Sequence, residues 1–153
     1  QYHFLITPDW LLLGKGEMFL PPPARDAITI PRIPVLGRDP AGFPERFEEE
    51  VIEYISPPQA PHNAYGLIVH GDSMLPTLRD GDYVLFIADG DYKTGDVLVV
   101  NDEWGKSMVK RYQVKPDGEA WLTSDNAEYP SFKPNEHWQI VGKVIDLWRR
   151  IKF

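Results

Sequence analysis

"HGDSMLPTLRDGDYVLFIA", residues 70–88, sets a turn of small and polar residues against an apolar run. Asp80-Gly81 is a turn signal and the residues after it are strand formers, so the segment reads as a turn feeding a β-strand. The same pattern recurs on both sides. "AYGLIVH" (64–70) leads in, and "DVLVV" (96–100) follows the Thr94-Gly95 turn. Then come "KSMVKRYQV" (106–114), the Pro116-Asp117-Gly118 turn and "EAWLTS" (119–124). Short apolar runs punctuated by turn residues mark a mainly β domain. "WQIVGKVIDLWRRIKF" (138–153) closes the chain with a long run of strand formers. No internal repeat is evident.

The bulk numbers narrow the function classes. The chain has 153 residues, 42% hydrophobic and 25% charged, with a net charge of -7. That is ordinary globular composition for one domain and an appendage. An acidic chain without a basic face is a poor nucleic-acid binder by itself. The absence of cysteine excludes disulfides, thiolate metal sites and a cysteine nucleophile. His3, His62, His70 and His137 lack metal-ligand spacing, and there is no phosphate-binding glycine loop. Neither a metal nor a cofactor is expected. The apolar runs fall far short of a membrane span and no signal sequence opens the chain, so the expectation is a soluble, cytoplasmic protein.

Eleven of the fifteen prolines fall at or before Pro61. Proline fixes φ and removes a backbone donor, so residues 21–60 are expected to be an extended Pro-rich arm for most of their length. Regular structure resumes in "ERFEEEVIEYI" (45–55). The β domain is expected over 61–153. Residues 1–20 differ again: "ITPDWLLLGKGEMF" reads as a short capped apolar turn ending at a glycine, the tail of something begun earlier.

Ser73 lies in the turn, and a serine is inert as a nucleophile without a partner to take its proton. Lys110, 37 positions on in "SMVKRY", shares a strand face with Met108, whereas Val109 and Arg111 share the other. A lysine on an apolar face loses part of its preference for the charged form, and its neutral amine can act as a base. His70 is a second nominee, although a half-exposed strand-end histidine is its plainer reading. From spacing alone, two solvent-facing residues remain an alternative to a Ser-Lys dyad.

"GDSMLPTLRDGDYV" together with "MVKR" resembles the self-cleaving Ser-Lys peptidase domain of LexA, UmuD and lambda-type phage repressors. The resemblance implies a complex β fold of small twisted sheets, with Ser73 as nucleophile and Lys110 as general base. It implies backbone amides of Asp72 and Ser73 as oxyanion donors. "IPVLGRDPAGFP" is similar to the family's cleavage segment and places the cut at Ala41–Gly42. Asp39-Pro40 departs from the small residues usual there. "TPDWLLLGKGEMF" resembles the end of a phage-repressor helix-turn-helix domain, so residues 1–20 are expected to be its remnant.

The function so implied is that of an effector and dimerisation domain of a DNA-binding transcriptional repressor. It would form a homodimer, reach operator DNA through an upstream domain absent from this chain, and cut itself when a RecA-type filament signals DNA damage. A UmuD-like accessory protein and a catalytically inactive dimerisation module are the alternatives. Type I signal peptidases share the Ser-Met-x-Pro turn but need a membrane anchor, and no spanning segment is expected in these 153 residues.

Overall fold

The computed structural model describes residues 30–40, 44–88 and 90–151. Its elements all fall in the second of two compact units, Pro31–Phe153. The expected helix-turn-helix remnant at 1–20 and the Ala41–Gly42 bond lie outside the described residues. Eight strands carry the fold: β1 (Ile33–Leu36), β2 (Val51–Ile55), β3 (Tyr65–Ile68), β4 (Tyr83–Ile87), β5 (Val97–Asn101), β6 (Ser107–Val114), β7 (Ala120–Thr123) and β8 (Gln139–Trp148). A 3-10 helix, Pro44–Glu50, precedes β2. The mainly β expectation holds, and the strands form one continuous mixed ladder in the order β2-β1-β3-β4-β8-β5-β6-β7. Bulges at Val35/Leu36, Leu85/Phe86 and Val99/Val100 interrupt its register, which lets a single ladder bend sharply enough to enclose more than one core.

β4 shows why. Its run "YVLFI" is buried on both faces, as an unbroken apolar strand must be. Val84 and Phe86 enter one cluster with Phe47, Leu67, Met74 and Val99. Tyr83 and Leu85 enter another with Ile33, Val35 and Ile55. Leu98, Val100 and Leu122 form a third beneath β6 and β7.

Part of the Pro-rich stretch is built into the ladder. Ile33–Leu36 lies between β2 and β3 in the ladder, antiparallel to the first and parallel to the second. Ile33 and Val35 are fully buried and Leu36 nearly so. Pro34 is tolerated inside this strand because pairing with β3 is confined to Val35 opposite Gly66, so a missing N–H costs the ladder little. The β1–β2 connection, which holds the Ala41–Gly42 bond, is closed at its base by the Gly37 amide donating to the Glu50 carbonyl at 2.9 Å.

β8 is central in the ladder, between β4 and β5, yet it is not wholly buried. Val141 lies in the first core, whereas Ile140, Ile145 and Leu147 are each more than a third exposed, and Ile151 beyond the strand is 70% exposed. At Gly142 the ladder tightens. A Cβ there would stand 2.5 Å from Phe86 Cδ2 and 2.6 Å from the Ile87 carbonyl oxygen.

Candidate active site

The turn that carries Ser73 is fixed at both ends and from below. Val69, just after β3, exchanges backbone hydrogen bonds with the far side of the loop: its amide donates to Asp82 O and its carbonyl accepts from Gly81 N, each at 2.8 Å. Gly71 takes a positive φ of 84°, a conformation open to glycine without strain, and its amide donates to Asp80 Oδ1 at 2.7 Å. Met74 and Leu78 drive into the first core. Between them and the strand, Ser73 is left half-buried at the rim. The sequence puts the apolar anchor one residue after the serine, and so the hydroxyl is presented.

Asp82 anchors the loop's return. Only 2% exposed, it accepts two hydrogen bonds from Arg149 at 2.7 Å and one from the Arg79 amide. The Arg149 guanidinium holds its carboxyl below the usual carboxylate range.

Lys110 enters from β6, opposite Leu98 of β5. As the alternation predicts, Met108 and Tyr112 share its face and pack on the third core, while Val109 points into the first. Lys110 is 5% exposed, and burial pushes its amine pKa down from the ordinary 10.5. No carboxylate lies within ion-pair distance of it among the described residues. Its Nζ donates to Ser124 Oγ at 2.7 Å and sits 5.8 Å from the ring centroids of Tyr129 and Phe132. It is held by one hydroxyl and two aromatic rings.

The segment after β7 ties these parts together. Asn126 donates from its side chain to the Asp72 carbonyl and from its amide to the Ser73 carbonyl, both at 3.0 Å. The Tyr129 hydroxyl donates to the Asp72 carboxylate. Asp125 accepts from Thr77 and forms a two-point ion pair with Arg111, with both N···O distances at 2.7 Å. Arg111 holds the Asp125 carboxyl below its usual range. One short loop thus fixes the serine turn and the lysine at once.

Ser73 and Lys110 line one cleft of about 250 Å³ together with His70, Met108, Tyr129 and Arg38. The two are not hydrogen-bonded to each other, since Lys110 is engaged with Ser124. Neither the Asp72 nor the Ser73 amide donates to an acceptor among the described residues, and the Met74 amide is equally open. His70 is exposed and shares no hydrogen bond with Ser73. Among the described residues no group of three or more histidines, aspartates or glutamates could hold a metal ion, and no helix is long and apolar enough to cross a membrane.

Ser124, Asn126 and Tyr129 escaped the sequence reading. "TSDNAEYP" has the polar composition of any loop after a strand. The partners of Asn126 and Tyr129 are 54 and 57 residues away, a distance at which no local pattern carries a signal.

Residues 34–145 match the Peptidase S24-like family. The LexA repressor of Bifidobacterium adolescentis is 30% identical over 151 residues, covering 90% of this chain and 56% of that protein. That of Brevibacillus brevis is 34% identical over 129 residues, covering 80% of this chain and 60% of its own length. That of Exiguobacterium sibiricum is 29% identical, covering 88% and 67%. This chain therefore spans from half to about two thirds of the length of the curated relatives it matches.

Proposed function

The chain belongs to the Peptidase S24-like family, and on that premise we propose that it is the effector and dimerisation domain of a DNA-binding transcriptional repressor. In this reading an intramolecular cut at Ala41–Gly42, made by Ser73 and Lys110, inactivates the repressor. The single observation that carries it is the shared cleft: Ser73, Lys110 and Arg38, three residues before Ala41, line one recess. Arg38 on the same recess supports a path for the arm toward the proposed dyad.

The chemistry runs in two balanced steps. The neutral Lys110 amine takes the Ser73 proton while Oγ attacks the Ala41 carbonyl carbon. The oxyanion so formed is met by the Asp72 and Ser73 amides, which have no competing acceptor among the described residues. Collapse breaks the C–N bond, and the Lys110 ammonium returns its proton to the Gly42 nitrogen. An ester now joins Ala41 to Ser73. Lys110, neutral again, takes a proton from water, whose attack on the ester releases the Ala41 carboxylate and restores the serine. The reacting groups share one chain, so encounter entropy is already lost and the step is first order.

Homodimerisation, operator binding through an upstream domain, and triggering by a RecA-type filament complete the proposal. The relatives named above are repressors. The exposed Ile140, Ile145, Leu147 and Ile151 on and after β8 supply an apolar surface for a second copy. Linking two copies holds two half-sites together, so losing the link weakens operator binding sharply.

The test is alkaline incubation of the wild type, Ser73→Ala and Lys110→Ala, with mass spectrometry of the products. A fragment beginning at Gly42, formed at a rate independent of protein concentration and only in the wild type, is the expected result. An intact wild type at pH 10 would overturn the reading.

A further inference from the structure

Asp39 and Pro40, the two residues before Ala41, are seated on a polar fixture at the end of the β5–β6 pair. Asn101, 4% exposed, donates its side-chain amide to the Pro40 carbonyl at 2.7 Å. The Ser107 hydroxyl donates to Asn101 Oδ1 at 2.5 Å, which sets the amide the right way round for that bond. The backbone amide of Ser107 donates to Asp39 Oδ1 at 2.9 Å. Asn101 and Ser107 face each other across the ladder, and Lys110 lies three residues further along the same β6 strand. Pro40 is itself buried, although it follows two exposed residues.

An ordinary surface loop needs none of this. Oδ1 is already bonded to Ser107, so without the Pro40 carbonyl the side-chain N–H of Asn101 would be an unsatisfied donor, and the residue is a liability to the domain unless the arm is in place. The fixture reads one main-chain carbonyl and one carboxylate, and proline between those points fixes φ and keeps their separation constant.

We propose that Asn101 and Ser107 form a substrate-positioning site that seats the arm for cleavage. The site selects a short acidic residue two positions before the one that supplies the scissile carbonyl. The inference rests on the assignment of Ala41–Gly42 as the bond cut. Asp39 has the reach for the Ser107 amide with Pro40 held on Asn101. Glutamate, one methylene longer, fits the same two anchors less well, and alanine forfeits one of them.

The experiment uses the full chain at a pH where cleavage has levelled off, with two readouts. One is the first-order rate of self-cleavage. The other is covalent labelling of Ser73 by a small fluorophosphonate, which needs the dyad but not the arm. Asp39→Ala and Asn101→Ala are expected to slow cleavage about tenfold or more, with Asp39→Glu between them and the wild type, while labelling stays at the wild-type rate in all three. Asp39 is exposed and outside the core, so Asp39→Ala reports even where Asn101→Ala disturbs folding. Unchanged cleavage in Asp39→Ala overturns the proposal. Faster cleavage overturns it too and makes the contact a latch that holds the arm off. A wild type that neither cleaves nor takes the label overturns the dyad assignment and the fixture with it, whereas normal labelling without any effect of Asp39→Ala refutes the fixture alone.

Discussion

Lys110 Nζ donates to Ser124 Oγ at 2.7 Å, and this is the one hydrogen bond the buried amine makes among the described residues. The ammonium form therefore depends on a single neutral acceptor for its polar stabilisation. The proposed reaction also needs that amine aimed away from solvent and toward the serine turn.

Replacing Ser124 separates these two effects. In Ser124→Ala the ammonium loses its acceptor, so its pKa falls further and the midpoint of the cleavage-versus-pH curve moves to lower pH. The unaimed amine lowers the plateau rate by about tenfold, the scale of one hydrogen bond. Ser124→Thr, which keeps the hydroxyl, restores both. A fall in plateau with no movement of the midpoint would show that Ser124 only supports the fold.

The wild-type pH profile follows from the same burial. Burial holds the Lys110 pKa below 10.5, and only the neutral amine is a base. Self-cleavage rises with pH, reaches half its maximum below pH 10.5 and then levels off, a one-sided curve because the protonated lysine is itself the acid for the leaving amine. A stopped time course at half-unit pH intervals measures it. A fall on the alkaline side would require a second titrating group.

Stability carries the opposite mark of that lysine. Between its lowered folded value and 10.5 the unfolded chain binds more protons than the folded one, so this group's contribution to stability rises with pH through that window. Below the window both states are charged and the full burial penalty stands. Lys110→Met removes it, and the variant is expected to be more stable than wild type by about 1 kcal/mol at pH 7. The gain should shrink toward pH 10.5. Urea denaturation at pH 7 and pH 10 compares them, and a gap that does not change with pH would contradict the account.

Gly142→Ala tests the close approach of β8 to β4. A methyl group there meets Phe86 Cδ2 and the Ile87 carbonyl at 2.5 and 2.6 Å, and a backbone oxygen cannot step aside as a side-chain end can. A loss of about 3 kcal/mol is expected from overpacking, read as a lower urea midpoint with an unchanged slope.

The parts that were readable from residues were those with a local signature. The Ser73 turn is legible because Gly71, Pro76 and Asp80-Gly81 surround it with turn chemistry. The face of Lys110 is legible because strand alternation places it with Met108. β1 was obscured because prolines at 31, 34 and 40 outweighed the buried Ile33, Val35 and Leu36, and only the neighbouring strands reveal that Pro34 leaves the ladder nearly whole. β8 looked too apolar for a terminal strand, and the reason is its central place in the ladder, with one side left open. The loop 124–129 had no local signature at all, since its meaning lies in partners brought from distant strands.

The position of β1 bears on what a cut would achieve. A break after Ala41 severs the chain downstream of Ile33–Leu36, and that strand stays inserted between β2 and β3 with three core side chains in place. Burial of those side chains is worth on the order of 5 kcal/mol, so hydrolysis by itself yields a nicked but still associated pair of fragments. Separation is then a second event with its own clock, set by how fast a four-residue plug slides out of the sheet. Whatever lies upstream of the plug keeps its tether until that moment, and the delay between nick and release can be lengthened or shortened at Val35 without touching the dyad.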